Sequence, residues 1–299
     1  MKKTVCVLMS TYNGENYLRR QIETIFSQDN IKVKLIIRDD ESSDSTLDII
    51  NSYIEYGYDI ELIKGKNVGP TESFLNLIYT VEDYDYYALA DQDDVWYSNK
   101  LCIAANKLER YSGKPALYYS SVTLIDETEK IIDVQVDTKK ATRDNVLFGF
   151  YATGCTIVYN LEFKKLILNY RPQKIYMHDA WLVTVACFFG KVVFDSESHI
   201  GYRQHSNNVV GMNKRRSLKN KILDFFITNK GRHSKVAAEL LRGFSSCMQD
   251  KETVQLLSYA SNCPKSLMAC YGLLTSREMH SLHYSDKIKV VRQILFGVF

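Results

Sequence analysis

The sequence predicts an α/β fold with a mostly parallel central sheet flanked by helices, and three observations support this fold class. Over the first 110 residues, short apolar runs alternate with segments whose apolar residues recur every three or four positions. The runs lack polar alternation, which indicates strands buried on both faces. Three of the runs end in acidic or hydroxyl side chains, at the position where open α/β sheets bind ligands.

The predicted strands and helices alternate in chain order. They are a strand at 5–9, a helix that opens at 14–16, a strand at 33–38, a helix after 43–45, a strand at 60–63, a helix from Pro70 and a strand at 86–90. Ser and Asp at 43–45 are N-cap candidates, Gly57 fits the end of the second helix, and Pro70 suits a first helical turn. This order predicts parallel strands joined by crossovers.

The pattern beyond Trp96 is mixed. We predict a helix at 100–111, strands at 116–119, 123–125 and 154–159, a polar loop at 137–145, and an apolar helix that begins near Met177. A polar run at 201–208 ends this part of the chain. We therefore predict two domains, an α/β domain over residues 1–212 and a basic helical extension over residues 213–299.

Composition predicts a globular protein of the cytoplasm. The 299 residues are 45% hydrophobic and 24% charged, which is ordinary for a folded domain. The seven Cys residues are odd in number and form no C-x-x-C pair, which favours free thiols over disulfides or a zinc site. The apolar run after Lys3 is too short for a signal peptide, and no run approaches the roughly 18 residues of a membrane span.

The charge is unevenly distributed along the chain. Residues 211–299 hold 15 Lys and Arg against 6 Asp and Glu, whereas residues 1–210 hold 23 against 29. The basic part includes a last segment with Ile288, Val291, Ile294, Leu295 and Val298 at helical spacing. Such basic amphipathic helices can bind a membrane interface, or they can pack onto the first domain or a dimer partner, and both readings stay open. No module that binds nucleic acid accompanies the basic residues.

The strand at 86–90 ends in three carboxylates, Asp91, Asp93 and Asp94. Crowded carboxylates raise one another's pKa unless a cation neutralises them. Mg²⁺ and Mn²⁺ take oxygen ligands and are commonly shared with substrate phosphates. The cluster therefore indicates either a metal–diphosphate site or a solvated acidic loop.

Three runs, taken in order and spacing, resemble the family 2 nucleotide-sugar glycosyltransferases. They are S-T-Y-N after the first strand, I-I-R-D-D-E-S-S-D-S-T after the second, and D-Q-D-D-V-W after the fourth, within the first 210 residues. The resemblance implies an inverting enzyme with the GT-A fold. D-Q-D-D-V-W and the later R-Q-H-S-N-N-V-V-G also resemble bacterial rhamnosyltransferases of cell-wall or capsular polysaccharide synthesis, which implies a dTDP-β-L-rhamnose donor.

The resemblance implies a metal site and a nucleotide site. The family's D-x-D motif matches Asp91 and Asp93, so that Asp93 would bind Mg²⁺ or Mn²⁺ and Asp91 would contact the ribose or the metal shell. His205 would be a metal ligand or contact the diphosphate. The nucleoside would bind to a set of residues at the first two strand ends: Thr11, Tyr12, Asn13, Asp39 and Asp40.

The resemblance implies Asp179 as the general base, at the start of a helix. The family often has an acidic pair at this position; here its first member is His178, which could itself be the base, and Asp179 could instead only cap the helix. Asp94 could contact the acceptor, although a helix N-cap is the favoured reading. Further diphosphate or acceptor contacts are predicted for Arg203, Gln204, Trp96 and Trp181.

The resemblance implies a polyprenyl-diphosphate-linked glycan or a polysaccharide as the acceptor, with the protein peripheral on the inner face of the plasma membrane. One alternative keeps the chemistry with UDP-Glc, UDP-Gal or UDP-GlcNAc as donor. A second alternative is a non-catalytic nucleotide-binding subunit of a glycan assembly complex. A nucleotidyltransferase would need a Gly-rich basic loop after the first strand, and residues 11–15 do not supply one.

Overall fold

The computed structural model describes residues 2–133, 140–149, 151–205 and 231–299, and the chain divides into two compact units. The first, here called the sheet unit, comprises 1–140, 152–168 and 189–211; the second, here called the helical unit, comprises 141–151, 169–188 and 212–299. Two segments that precede residue 212 thus group with the C-terminal helices. The predicted domain boundary at residue 212 lies outside the described residues and stays a prediction.

The described residues of the sheet unit form one mixed sheet. Its strands are β1 (Lys3–Thr11), β2 (Ile31–Asp39), β3 (Ile60–Lys64), β4 (Tyr86–Ala90), β5 (Val95–Trp96), β6 (Ala116–Ile125), β7 (Ile131–Asp133), β8 (Val158–Asn160) and β9 (Lys191–Arg203). The strand order is β3-β2-β1-β4-β8-β6-β9-β5, with β7 paired to β6. β1 runs parallel to β2 and β4, and β2 runs parallel to β3, as crossover connections require. The predicted fold class is confirmed.

Helices cover the sheet and complete its core. They are α1 (Leu18–Phe26), α2 (Thr46–Glu55), α3 (Gly69–Thr80), α4 (Lys100–Glu109) and α5 (Leu161–Leu168). Val7 and Leu35 from the strands pack in one buried cluster with Ile22 from α1 and Ile50 from α2. Each of these side chains is fully buried, and burial of one such side chain stabilises the fold by about 1.5–3 kcal/mol.

Three of the predicted strands differ from the structure. The strands predicted at 116–119 and 123–125 form one continuous strand, β6. Ser120 and Ser121 are buried within it, and the Ser120 hydroxyl donates a hydrogen bond to the Ser121 carbonyl. The strand predicted at 154–159 begins as a 3₁₀ turn, Gly154–Thr156, and only Val158–Asn160 is extended. The first case shows that hydroxyl residues do not always interrupt a strand. The second shows that β-branched residues do not always begin one.

The described residues of the helical unit are mainly helical. The helices are α6 (His178–Phe189), α7 (Arg232–Phe244), α8 (Lys251–Asn262), α9 (Leu267–Leu274), α10 (Arg277–Ser281) and α11 (Tyr284–Leu295). Asp250, Ser266 and Ser276 cap α8, α9 and α10 by accepting backbone N–H bonds in the first turn. No helix in the described ranges combines the length and the apolar character that a bilayer crossing needs.

Candidate functional site

The carboxyl ends of three neighbouring strands bring the predicted nucleotide-binding residues to one edge of the sheet. In the register of the parallel pairs, Thr11 lies beside Asp39, and Met9 lies beside Ala90, the residue before Asp91. Side chains that follow β1, β2 and β4 therefore meet at the edge where open α/β sheets bind ligands.

Asp39 is held by three hydrogen bonds. Its carboxylate accepts from the Thr11 hydroxyl at 2.9 Å, from the Ser42 backbone N–H at 2.9 Å and from the Ser42 hydroxyl at 2.6 Å. The side chain is buried, so these donors fix its orientation. A carboxylate offers about four acceptor positions, and these bonds leave one for an incoming N–H group such as that of a pyrimidine base.

Asp40 has a structural role, and its predicted nucleotide contact stays a prediction. Its carboxylate forms an ion pair with Arg38 and accepts the backbone N–H groups of Val68 and Gly69, both at 3.0 Å. The side chain is 2% exposed. Asp40 therefore fixes the turn before α3, and the reading that it only bonds its own backbone is wrong.

The loop after β1 is fastened on both sides. The Asn13 side-chain oxygen accepts the Ser43 backbone N–H at 2.8 Å, and Asn13 has a positive φ of 47°. The Gln92 amide accepts from the Tyr12 backbone N–H at 2.9 Å and donates to the Tyr12 carbonyl at 3.0 Å. A Cβ at Gly14 would lie 2.4 Å from the Gln92 amide oxygen, so a larger residue here would displace the Gln92 side chain. The Tyr12 ring is 49% exposed and is accessible for stacking.

Asp93 and His205 meet at the edge of the same sheet. His205 Nε2 lies 2.7 Å from Asp93 Oδ2, and the His205 imidazole stacks on the Tyr17 ring at 5.0 Å between centroids. Sequence reasoning named Asp93 and His205 but missed Tyr17 and Gln92. A tyrosine before a helix and the middle residue of D-x-D carry no sequence signal for these contacts.

Asp94 is buried behind this pair and is not a helix cap. Its Oδ1 accepts the Arg203 backbone N–H at 3.1 Å, and Asn99, not Asp94, occupies the N-cap position of α4. Burial and, to a lesser extent, the charges of Asp93 and Asp91 raise the pKa of Asp94 well above its usual range. The favoured N-cap reading is therefore wrong, and a full burial of the side chain also contradicts an acceptor contact.

Trp96 belongs to the core of the sheet unit. The Lys100 ammonium lies 3.7 Å from the centre of the Trp96 ring, and both side chains are buried. Burial lowers the pKa of Lys100 to about 8. The structure thus contradicts the predicted contact of Trp96 with a diphosphate or an acceptor.

The role of Arg203 also differs from the predicted one, because its guanidinium donates hydrogen bonds to protein groups. Nε donates to the Asp93 carbonyl at 2.7 Å, and one terminal nitrogen donates to the carbonyls of Asp126 and Glu127 at 3.2 and 2.9 Å. The other terminal nitrogen bonds to Glu129 at 3.3 Å. The side chain is 2% exposed, so Arg203 holds the acidic loop against the β6–β7 turn rather than contacting a diphosphate. The neighbouring Gln204 is half-buried, and its contact stays a prediction.

Asp179, His178 and Trp181 lie in α6 of the helical unit. Asp179 is in the first turn, where its Oδ1 accepts the Ala180 N–H at 2.6 Å. Burial lowers the pKa of His178 to about 3, so its imidazole is neutral and weakly basic near pH 7. Trp181 is fully buried against Tyr170 and Phe244, which contradicts its predicted contact with diphosphate or acceptor.

Two sets of side chains could hold a divalent cation, and one fits Mg²⁺ or Mn²⁺ better. Asp91, Asp94 and Cys155 have ligand atoms within 4.8 Å of one another. A cysteine thiolate is a soft ligand that suits zinc or copper better than Mg²⁺ or Mn²⁺. The Asp93 carboxylate offers the kind of oxygen donor that Mg²⁺ and Mn²⁺ take, and His205 Nε2 lies 2.7 Å from it as a nitrogen donor.

The fold and this site define an α/β protein with acidic side chains gathered at the carboxyl ends of its parallel strands. A family model described as "Glycosyl transferase family 2" matches residues 6–154. The chain is 33% identical over 224 residues to the dTDP-rhamnosyl transferase RfbG of Shigella flexneri, covering 69% of this chain and 74% of that protein. It is 30% identical over 211 residues to an uncharacterized glycosyltransferase of Rickettsia typhi, covering 67% of this chain and 64% of that protein. The rest of that relative lies outside the match. This chain belongs to glycosyltransferase family 2.

Solved structures confirm the GT-A fold. S. aureus TarS in complex with UDP-GlcNAc superposes with a TM-score of 0.61 at 16% identity, over 99% of this chain and 82% of that one. The mannosyltransferase PcManGT of Pyrobaculum calidifontis, in complex with GDP-Man and Mn²⁺, gives a TM-score of 0.53 at 13% identity, over 100% of this chain and 81% of that one. At these identities the likeness concerns the fold alone. The protein is a glycosyltransferase by family and fold.

Proposed function

We propose that this glycosyltransferase moves L-rhamnose from dTDP-β-L-rhamnose, with inversion, onto a lipid-linked or polysaccharide acceptor of a cell-surface glycan. The observation that carries the sugar assignment is the 33% identity to the dTDP-rhamnosyl transferase RfbG, over 69% of this chain. The site chemistry agrees with a dTDP or UDP donor, because Asp39 retains an acceptor position for a pyrimidine N–H.

The proposed reaction needs charge neutralisation at the departing diphosphate. Asp93 and His205 would hold the divalent cation, which acts as a Lewis acid when bound. Asp91, which is half-buried and lies two residues before Asp93, would contact the ribose or the metal shell. Thr11 and Ser42 keep the Asp39 carboxylate oriented, which lowers the cost of ordering the site when the nucleotide binds.

The acceptor hydroxyl needs a base, and we assign that role to Asp179. The rival, His178, is 3% exposed, and burial lowers its pKa to about 3, so it holds a proton poorly at neutral pH. Asp179 is less deeply buried at the start of α6.

A panel of nucleotide sugars tests the donor. We expect release of free dTDP from dTDP-β-L-rhamnose in the presence of Mn²⁺ and a lipid-linked glycan acceptor, and no comparable release from UDP-Glc, UDP-Gal or UDP-GlcNAc. Turnover of a UDP-hexose alone would overturn the rhamnose assignment and keep the chemistry. A wild-type protein inactive with every donor would favour a non-catalytic nucleotide-binding subunit.

An Asp179→Asn variant tests the base. General-base catalysis typically contributes 10²–10⁴-fold, so we expect kcat to fall by about that factor with little change in nucleotide affinity. Asp286→Asn is a matched control, because Asp286 forms a surface pair with Lys289 at 3.2 Å in the same unit. Unchanged turnover in Asp179→Asn would exclude Asp179 as the base.

We further propose that the protein binds the membrane surface peripherally through the helical unit. α9 presents Leu267, Met268 and Tyr271 with 90%, 81% and 70% of their surfaces exposed, and α11 presents Leu295 at 77%. Exposed lysine or arginine side chains lie on or beside these helices at 265, 289 and 292. Apolar side chains with neighbouring cations favour an anionic lipid interface. Cosedimentation with anionic vesicles, but not with neutral ones, is the expected result, and equal failure with both would contradict the proposal.

A further inference from the structure

The His205 imidazole is supported by an aromatic ring that lies outside the residues assigned above. Tyr17, which precedes α1, stacks on His205 with 5.0 Å between ring centroids and 28° between ring planes. The imidazole also contacts Asp93, because His205 Nε2 lies 2.7 Å from Asp93 Oδ2. The ring contact with Tyr17 and the polar contact with Asp93 thus both position the imidazole.

The Tyr17 ring is itself held from the end of β9. The Arg203 guanidinium carbon lies 4.8 Å from the centre of the Tyr17 ring. Arg203 is immobilised by its bonds to the carbonyls of Asp93 and Glu127 and to the Glu129 carboxylate, and Glu129 is also paired with Arg20. A fixed guanidinium over an aromatic ring is a cation–π contact that restrains that ring.

We propose that Tyr17 is a positioning residue for the divalent cation, because its ring, anchored by Arg203, fixes the imidazole of His205 beside Asp93. The inference rests on the proposed role of Asp93 and His205 as metal ligands. Without the stack, the imidazole can rotate about its side-chain bonds, and the ordering entropy must be supplied when the cation binds. Groups that orient metal ligands typically contribute 10–100-fold to metal affinity.

Mn²⁺ binding by Tyr17 variants tests the inference directly. We expect Tyr17→Leu to weaken Mn²⁺ binding about tenfold or more, measured from the electron paramagnetic resonance signal of free Mn²⁺ without any sugar donor. Tyr17→Phe keeps the ring and should stay within about threefold of wild type. Tyr58→Leu is a matched control, since Tyr58 precedes β3 at the opposite end of the parallel strands and packs edge-on against Phe26.

Proton NMR separates the contact from the metal. The Tyr17 ring should shift the His205 Cε1 proton upfield, and a His205→Gln variant assigns that resonance among the six histidines. We expect the shift in wild type and Tyr17→Phe and its loss in Tyr17→Leu, with thermal unfolding confirming that all variants are folded.

The outcomes distinguish the inference from the proposed function. If Tyr17→Leu binds Mn²⁺ as wild type does, or if Tyr17→Phe loses as much affinity as Tyr17→Leu, the positioning role is wrong, whatever the donor panel shows. If wild type turns over no nucleotide sugar while the Mn²⁺ affinities still separate Leu from Phe, the positioning role stands and the proposed function fails.

Discussion

Two sets of buried polar side chains, one in each unit, differ in how they are held. In the sheet unit, Asp39 and Arg203 are buried but are surrounded by partners at 2.6–3.3 Å, on the strand ends themselves. In the helical unit, Arg232 and the two histidines His178 and His233 are buried deeply enough that their pKa values fall, to about 10 for the arginine and about 3 for each histidine.

The contrast shows two kinds of electrostatic design. Hydrogen bonds to a charged group favour its ionised form and fix its direction, which suits a site that must bind a charged nucleotide. Burial disfavours the ionised form, so the imidazoles of His178 and His233 are neutral at neutral pH. Arg232 and His233 also line a small cavity of about 20 Å³ with Ala180 and Thr184, which is room for about one water molecule.

The largest effect should come from Asp93, the proposed metal ligand of the sheet unit. Asp93→Ala removes a carboxylate that touches His205 at 2.7 Å, and we expect a loss of about 10³-fold or more in kcat/KM together with loss of Mn²⁺ binding. Asp59→Ala is the control, since Asp59 forms only a surface pair with Lys34 at 2.9 Å. Full activity in Asp93→Ala would remove the basis for a metal site at this edge.

Arg203→Met should have the next largest effect, on stability. It leaves the Glu129 carboxylate and three carbonyls without their buried donor, and loss of one partner of a buried ionic network costs about 3–5 kcal/mol. Arg20→Met is the matched control, because Arg20 pairs with the same Glu129 from the surface, where such pairs contribute about 0–1 kcal/mol. Urea unfolding measures both, and equal costs would mean that Arg203 is not the centre of the network.

The sheet unit was largely predictable from the sequence, because parallel strands impose where their ends lie. Apolar runs fixed β1, β2 and β4, and the polar residues that follow them converge for a topological reason. The prediction failed where the role of a side chain depends on contacts distant in sequence. Asp94 and Arg203 look like ligand-binding residues in a motif, yet their partners are protein groups.

The helical unit was less predictable. Its helices have clear caps and periodicity, but the grouping of residues 169–188 with the C-terminal helices depends on tertiary packing that no local pattern encodes. Trp181 shows the same limit. A tryptophan beside a motif indicates a ligand contact, but here the side chain packs in the core between Tyr170 and Phe244. The basic stretch at 214–221 and the apolar residues after it lie outside the described residues.

The buried histidines predict that acid weakens the fold. The folded-state pKa of His178 is lowered from 6.5 to about 3. Between these pH values, the His178 imidazole binds a proton in the unfolded chain but not in the folded chain. Stability is therefore complete above pH 6.5 and falls as the pH drops towards 3. At about pH 4.5, two units below the unfolded pKa, the loss should be about 3 kcal/mol for this one group.

A His178→Leu variant checks this pH dependence. We expect its free energy of unfolding to fall less steeply than that of wild type between pH 6.5 and 4.5, with the difference measured by urea titration at each pH. The exposed His280 offers a control, because His280→Leu should leave the slope unchanged. Identical slopes in wild type and His178→Leu would show that His178 does not contribute to the acid sensitivity.

The smallest effect on stability should come from the exposed apolar side chains of α9. Leu267 is 90% exposed, so Leu267→Ser should change the free energy of unfolding by less than about 0.5 kcal/mol, as surface substitutions do. Leu273 lies in the same helix but is fully buried, and Leu273→Ala should cost about 2–5 kcal/mol. If the proposed membrane contact is right, Leu267→Ser nevertheless weakens binding to anionic vesicles, because it removes apolar area that only the lipid would bury. A large loss of stability in Leu267→Ser would instead mean that this face is already covered by the chain itself.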